Sequence, residues 1–227
     1  MASNSRARKG GSRYFVIYTA IIIIVAVGLF VINQQSGKNE GNKSFESAPS
    51  TVAQPVMGEA EAKVSIVEFG DYKCPSCKTW GETVWPLLKA EYVDSGLATF
   101  SYINTLFHGE ESRIGALASE AVLKLYPDQF WDFHKALFDA QPTGHDGAWL
   151  TEELVLETAK ALVPELDEAQ LKETMAAEEA SSLVNLDTTL VNQFNVRFTP
   201  TIMINDVQIE NPFDLESIRA AIAQELE

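Results

Sequence analysis

Cysteine is scarce in this chain of 227 residues, which contains two, Cys74 and Cys77, in a single C-x-x-C motif. Two cysteines exclude a small domain that is held together by several disulfide bonds. They leave two kinds of chemistry, a redox-active thiol pair or half of a metal site. Tetrahedral zinc would need two further ligands, and an iron–sulfur cluster would need four thiolates.

Histidine is also rare, with three in the whole chain and none of them in the paired spacing that zinc sites use: His108, His134 and His145. We therefore expect no metal at the motif and no cofactor other than the disulfide of Cys74 and Cys77. His134 follows aromatic residues at helical spacing, so we expect it to be packed in a core rather than catalytic. His108 carries no assignable role.

Basic residues are few beyond the N-terminus. Residues 1–43 hold six basic side chains and one acid, whereas the rest of the chain holds 11 basic and 31 acidic residues, a balance of −20. So acidic a domain repels phosphate backbones, which excludes nucleic acid as a partner. The acids are expected to form a solubilising surface. Calcium binding on that surface stays open, although no spacing of the EF-hand kind is visible.

Residues 14–32 form an uncharged, mostly apolar run. As a helix this run would span roughly 28 Å, close to the hydrocarbon thickness of a bilayer. Because four basic residues precede it, we expect residues 1–13 to stay in the cytoplasm and the chain to cross the cell membrane once, with its remainder outside. A cleaved signal peptide is the alternative, but its apolar core is normally shorter and ends in a small-x-small site.

Residues 33–54 are rich in Ser, Asn, Gln and Gly, with few large apolar side chains. Such a segment cannot bury enough surface to fold, so we predict a flexible tether. Residues 55–227 are then expected to form one domain outside the membrane.

That domain begins with a β-branched and aromatic run at 63–69, which predicts a buried strand. The C-P-S-C motif opens a helix, because proline is favourable at the first helical position, and Pro86 predicts a kink further along. A second strand is expected over residues 97–103. Helical patterns follow at residues 112–125, 130–138, 151–162, 168–178 and 180–194. Two strands joined by a tight turn at Asn205-Asp206, and a helix capped by Asp214, are expected to end the chain.

A cysteine that lies directly between a strand and a helix should occupy the N-cap of that helix. The helix dipole and the free N–H groups of the first turn then favour a thiolate on Cys74, and Lys73 adds a positive charge next to it. Such surroundings can lower a thiol pKa to between about 3.5 and 7.5. Cys77 returns to the same helix face and should point inward. Cys74 is thus the expected exposed nucleophile, and Cys77 the resolving cysteine.

Glu68 is a carboxylate inside an otherwise apolar strand. Burial should raise its pKa, and it could then relay a proton to or from Cys77. The alternative is a residue near the strand end whose side chain faces solvent.

Three segments, taken together, resemble the DsbA-like thiol–disulfide oxidoreductases, in particular their membrane-anchored BdbD type. They are residues 55–77 with C-P-S-C at Cys74–Cys77, the aromatic helix at 130–138, and the Phe198-Thr199-Pro200-Thr201 segment that leads into a strand. The resemblance implies an α/β thioredoxin fold. Since 122 residues separate Cys77 from Pro200 and a βαβ unit takes roughly 30, a helical subdomain must be inserted, at about residues 105–195.

The resemblance also implies site residues. Pro75 and Ser76 support the active site, Glu68 matches the buried acid of the family, and a cis bond between Thr199 and Pro200 would place this loop against Cys74. The Thr199 backbone would then bind an extended substrate. From the residues alone, a trans proline that begins a strand remains open.

The chain departs from the best-known family members at two positions. Ser76 occupies the place of a histidine that strongly oxidising enzymes have, so one stabiliser of the thiolate is missing. Phe198 stands where a glycine often precedes the Thr-Pro pair, which could narrow the substrate groove.

These features predict an extracytoplasmic oxidase that donates the Cys74–Cys77 disulfide to reduced, extended secreted or surface proteins. By resemblance, a quinone-linked, DsbB-like membrane partner would restore the disulfide. Two alternatives remain: a membrane-anchored reductase or isomerase that uses the same site in its reduced state, and a non-catalytic surface module.

Overall fold

The structure is a computed structural model and describes residues 17–18, 41–144 and 147–227. The predicted cytoplasmic segment at 1–13 and membrane anchor at 14–32 lie outside the described residues, except for Ile17 and Tyr18, which are helical. Within the described ranges we find no helix with the length and apolarity that crossing a membrane requires.

The described residues contain a six-stranded mixed sheet. Its strands, in chain order, are β1 (Lys43–Ser44), β2 (Val56–Met57), β3 (Val64–Gly70), β4 (Ala98–Asn104), β5 (Thr201–Ile204) and β6 (Val207–Gln208). Their order across the sheet is β1-β6-β5-β3-β4-β2. The central strand β3 pairs with β4 in parallel and with β5 antiparallel. Because β3 lies inside the sheet with both faces covered, its sequence is a nearly continuous apolar run.

The helices flank this sheet and fill the long connection between β4 and β5. In chain order they are α1 (Pro75–Thr83), α2 (Trp85–Leu88), α3 (Glu110–Leu125), α4 (Phe130–Asp139), α5 (Glu152–Leu162), α6 (Glu168–Ala176), α7 (Glu178–Gln193) and α8 (Leu215–Leu226). Each helix expected from the apolar pattern is present within two residues of its expected start. In place of the kink expected at Pro86, the helix is interrupted at Val84, between α1 and α2, and a π-helical turn at Lys89–Val93 follows.

Alternation along β3 divides its side chains between two faces. Val64 and Ile66 face a core that includes Trp80 of α1 and Ile218 of α8. Val67 and Phe69 face the opposite core. That second core also contains Leu190, Val191, Phe194, Ile103 and Met203. Since Glu68 has the same parity as Val64 and Ile66, its carboxyl lies on the face that α1 covers.

The C-terminal hairpin and helix form as the sequence predicts. Asn205 and Asp206 make the tight turn between β5 and β6, and Asn205 has the left-handed φ of 48° that such a turn requires. Asp214 caps α8, because its carboxylate accepts a hydrogen bond from the Ser217 N–H.

The flexible tether predicted for residues 33–54 is wrong for its second half. Lys43 and Ser44 form the edge strand β1 on β6, and the Phe45 ring lies 5.0 Å from that of Phe194. Gln54 is buried and donates a hydrogen bond to Asp187. Backbone hydrogen bonds hold an edge strand in place, and its side chains can stay exposed and polar. The side chains of Lys43 and Ser44 therefore did not indicate a strand. The compact domain therefore includes residues from Asn42 onward rather than from residue 55.

We expect this edge segment to contribute to stability. Replacing Phe45 by alanine should lower the free energy of unfolding by about 1–2 kcal/mol, since it exposes part of the Phe194 surface to water. Denaturant unfolding of a chain that starts at Asn42 would measure the loss. Val52→Ala, at a residue that is 77% exposed, is the matched control. A Phe45→Ala chain as stable as this control would contradict the contribution of β1 to the fold.

Candidate active site

The turn between β3 and α1 positions the C-x-x-C motif. Cys74 is the N-cap of α1, with an extended backbone (φ −77°, ψ 120°), and Pro75 occupies the first helical position. The Cys74 N–H donates a hydrogen bond to the Asp71 carbonyl at 2.9 Å, and no side chain caps the helix. The free N–H groups of the first helical turn can therefore act on the Cys74 sulfur, as the sequence predicts.

Cys74 is less accessible than expected. Its exposed fraction is 6%, against 1% for Cys77, so the prediction of an exposed nucleophile is wrong in degree. The segment before β5 accounts for this burial, since the Cys74 sulfur lies 3.4 Å from the Thr199 carbonyl oxygen, to which the protonated thiol donates. Such coverage arises from chain segments 125 residues apart and leaves no trace in the local sequence.

The two cysteines have opposite acidities. The pKa of Cys74 is lowered to about 5, first because the Cys77 thiol donates a hydrogen bond to it. Burial opposes this shift, and hydrogen bonds from the Thr199 side chain and from the backbone of Ser76 and Cys77 favour it. The pKa of Cys77 is raised well above that of an ordinary thiol, chiefly by burial and also by its hydrogen bond to Cys74 and the charge of Glu68. At neutral pH the reduced pair is thus a thiolate next to a thiol.

Glu68 is buried behind this pair. Within the described part of the chain its Oε1 atom has no hydrogen-bond partner. Burial, and to a smaller extent the charge on Cys74, raise its pKa well above the usual carboxyl value. The alternative of a solvent-facing glutamate is therefore wrong. Gly70 leaves the room for this arrangement, because a Cβ there would lie 2.3 Å from the Tyr102 ring and 2.9 Å from Glu68 Oε1.

The segment before β5 covers the Cys74 sulfur. The Thr199–Pro200 peptide bond is cis, as the resemblance implies, and the open alternative of a trans bond is wrong. Phe198, just before it, is 46% exposed. Ser76 is exposed on α1. An apolar side chain and a small hydroxyl thus border the surface around Cys74.

Lys73 does not supply the free positive charge expected beside Cys74. Its ammonium binds both carboxylate oxygens of Glu111 at 2.7 Å and the Gly147 carbonyl at 2.7 Å. Glu111 also accepts hydrogen bonds from the backbone of Trp149 and Leu150. Because Glu111 neutralises the ammonium, the role of Lys73 is to fasten the turn to the start of α3. The partner is 38 residues away, so the sequence could not indicate it.

Asp71 is a site residue that the sequence analysis missed. Its buried carboxylate accepts a hydrogen bond from His108 Nδ1 at 2.7 Å and from three further donors. The one sequence signal is a carboxylate placed between a buried strand and the C-x-x-C motif. Its side-chain partners lie 37 and 41 positions away, beyond the reach of any local pattern.

His134 is packed among aromatic rings, as expected. Its Nδ1 lies 3.0 Å from the Tyr72 hydroxyl, and burial lowers its pKa to about 3, so it stays neutral. His145 lies outside the described residues. Among the residues that are described, no group of three or more His, Cys, Asp or Glu side chains could hold a metal ion.

Because the pKa of Cys74 is lowered and that of Cys77 is raised, we expect a thiol titration of the reduced chain to show one transition near pH 5, from Cys74. In the reduced chain, the ultraviolet absorbance of the thiolate should rise with a midpoint of about 5, and Cys74→Ser should abolish the transition. The lowered pKa means that the thiolate stabilises the folded, reduced chain fully above the ordinary thiol pKa, and that this stabilisation is lost as the pH falls through about 5. A midpoint at the pKa of free cysteine would refute the arrangement.

Comparisons with known proteins agree with this geometry. The family model described as Thioredoxin matches residues 50–224. Disulfide bond formation protein D of Bacillus subtilis (strain 168) is 42% identical over 187 residues, which cover 82% of this chain and 83% of the relative. Probable disulfide bond formation protein D of Bacillus anthracis is 37% identical over 213 residues, 92% of this chain and 94% of the relative.

A solved structure gives the same result. The crystal structure of oxidised BdbD from Bacillus subtilis superposes with a TM-score of 0.76 at 42% identity, and the match covers 82% of this chain and 99% of that chain. The chain therefore belongs to the thioredoxin family and, within it, to the DsbA-like thiol–disulfide oxidoreductases of the BdbD type.

Proposed function

We propose that this protein is an oxidase that works outside the cytoplasm and donates the Cys74–Cys77 disulfide to reduced, extended secreted or surface proteins. The observation that carries the proposal is the lowered pKa of Cys74, about 5. A stabilised thiolate stabilises the reduced form of the site, and a site whose reduced form is stable is a strong oxidant.

The reaction takes place in two exchanges. A substrate thiolate attacks Cys74 Sγ, the Cys74–Cys77 bond breaks, and Cys77 leaves with the bonding electron pair. A second substrate thiolate then attacks the first substrate sulfur, and Cys74 leaves as a thiolate. The substrate is oxidised by two electrons to its disulfide, and the enzyme is reduced to the dithiol. The low pKa of Cys74 makes it the better leaving group, which favours the second exchange.

Glu68 serves the first exchange as the proton donor. Cys77 is a poor leaving group because its pKa is raised, so a proton delivered to its sulfur helps the bond to break. Glu68 is suited to this task because burial raises the pKa of its carboxyl well above the usual value, so it keeps its proton to a higher pH than an exposed carboxyl does. After release of the substrate, the proton returns from Cys77 when the site is oxidised again.

The segment around Pro200 binds the substrate. An extended chain can pair with the backbone of Thr199, whose carbonyl already contacts the Cys74 sulfur. Pro75 and Ser76 border the same surface from the start of α1.

We further propose that residues 14–32 anchor the protein in the cell membrane with the redox domain outside. The anchor keeps the site close to translocated chains. It also keeps the site close to a quinone-linked, DsbB-like membrane partner, which would accept two electrons from the reduced pair and restore the disulfide. The apolar run and the four basic residues before it support this topology.

The reduction potential of Cys74–Cys77 tests the direction of the reaction. Equilibration of the described domain with glutathione buffers should give a value near about −120 mV, the region of oxidases, whereas a reductase would lie near about −270 mV. The matching activity measurement uses a reduced peptide with two cysteines. Fast reduction of insulin together with slow oxidation of this peptide would contradict the oxidase.

Glu68→Gln tests the proton donor. The substitution keeps the shape of the side chain but removes its proton, so oxidation of the reduced peptide should slow by about tenfold or more. The pKa of Cys74 should stay near its original value, because hydrogen bonds rather than Glu68 lower it. Stopped-flow oxidation rates and the thiolate titration measure the two effects. Glu61→Gln, at an exposed residue, is the control. An unchanged rate in Glu68→Gln would rule out the relay.

A further inference from the structure

The backbone of Asp71 touches both cysteines. Its N–H donates to the Cys77 sulfur over 3.5 Å, and its carbonyl accepts from the Cys74 N–H at 2.9 Å. The direction of these two groups depends on the conformation of the turn between β3 and α1. A group that holds this turn therefore also sets the position of a hydrogen-bond donor at Cys77.

The Asp71 carboxylate is such a group. Its Oδ1 accepts from the Lys73 N–H at 2.9 Å. Its Oδ2 accepts from the Phe107 N–H at 3.0 Å, from His108 Nδ1 at 2.7 Å and from the Ser112 hydroxyl at 2.9 Å. We call this carboxylate with its four donors the Asp71 clamp. The carboxylate is fully buried, so the four bonds replace water. The bond from Lys73 lies within the turn, and the other three hold the turn against the start of α3 and the residues before it.

Cys77 is the sulfur that needs such a donor. During exchange negative charge develops on its sulfur in a buried place, either as the bond to Cys74 breaks or when Cys77 attacks as a thiolate. Burial and the neighbouring charge of Glu68 raise its pKa, whereas the hydrogen bond from the Asp71 backbone lowers it. A fixed N–H aimed at the developing charge costs no reorganisation at the moment of reaction.

We propose that Asp71 is a positioning residue for disulfide exchange: its carboxylate fixes the turn that holds the Asp71 N–H on the Cys77 sulfur. The inference rests on the proposed exchange at Cys74–Cys77, but not on its direction. When the disulfide closes, the Cys77 thiolate attacks Cys74 Sγ in a mixed disulfide and the bound thiol leaves with the electron pair. When it opens, the same bond breaks in reverse, so the same N–H acts in both directions.

The reaction of the reduced chain with oxidised glutathione measures the two cysteines in separate kinetic phases. The Cys74 thiolate of the reduced chain attacks oxidised glutathione in a bimolecular phase and releases one glutathione thiolate. Cys77 then closes the disulfide in a phase that does not depend on concentration, and a second glutathione thiolate leaves. With free glutathione kept dilute, both phases run forward. Stopped-flow mixing with acid quenching and mass analysis follows the mixed disulfide.

We expect Asp71→Ala to slow the closing phase by about tenfold, the effect of one misplaced hydrogen bond to a charged sulfur. The bimolecular phase should change by about twofold or less, since α1 still supplies the N–H groups at Cys74. Asp71→Asn keeps one acceptor oxygen, so it should restore part of the closing rate. Ser112→Ala removes one of four donors and should slow closing by about threefold.

Asp214→Ala is the matched control, because it removes a carboxylate that accepts a backbone hydrogen bond at the start of α8, away from the site. It should lower stability and leave both phases unchanged. If Asp71→Ala proves too unstable to purify, Asp71→Asn and Ser112→Ala carry the test. A closing phase that is unchanged in these variants, or two phases slowed equally, would overturn the inference. A wild-type potential near that of a reductase would overturn the oxidase and leave this test intact.

Discussion

The hydrogen bond between the two thiols of the C-x-x-C motif is the interaction on which the rest of the site depends. It lowers the pKa of Cys74 and raises that of Cys77, so one proton is shared unequally between two sulfurs. The arrangement requires both cysteines on the first turn of one helix, with the free N–H groups of that turn at the first sulfur. The strand before the helix and the proline at its first position hold this geometry.

The sheet provides the second condition, a dry surrounding for the inner sulfur. The strand β3 lies between β4 and β5, and Glu68 on it is buried on the face that α1 covers. Burial raises the pKa of both Glu68 and Cys77 well above their usual values. The same burial that makes Cys77 a poor leaving group thus also makes Glu68 an acid that can assist it.

The helices between β4 and β5 pack against the two cysteines and also hold the active-site turn through hydrogen bonds. Cys74 and Cys77 belong to one buried cluster with side chains of that helical region, among them Phe133, Leu137 and Leu150. Two residues of the active-site turn bind the start of α3, Lys73 through Glu111 and Asp71 through Ser112. The turn therefore has contacts on both sides, with the sheet below it and the inserted helices beside it, and its backbone groups are held where the sulfurs need them.

The sequence by itself determined the elements and the chemistry. Runs of β-branched and aromatic residues placed β3 and β4, and helical apolar patterns placed the helices. Two cysteines directly after a strand predicted a thiolate at a helix start. Both kinds of prediction depend on neighbours a few residues apart. The tertiary structure alone decided the contacts made across the chain: the edge strand at 43–44, the coverage of Cys74 by Thr199, the neutralisation of Lys73 and the donors of Asp71. Strand pairing and buried ion pairs join residues that are far apart in the sequence, so the residues next to each position do not indicate its partner.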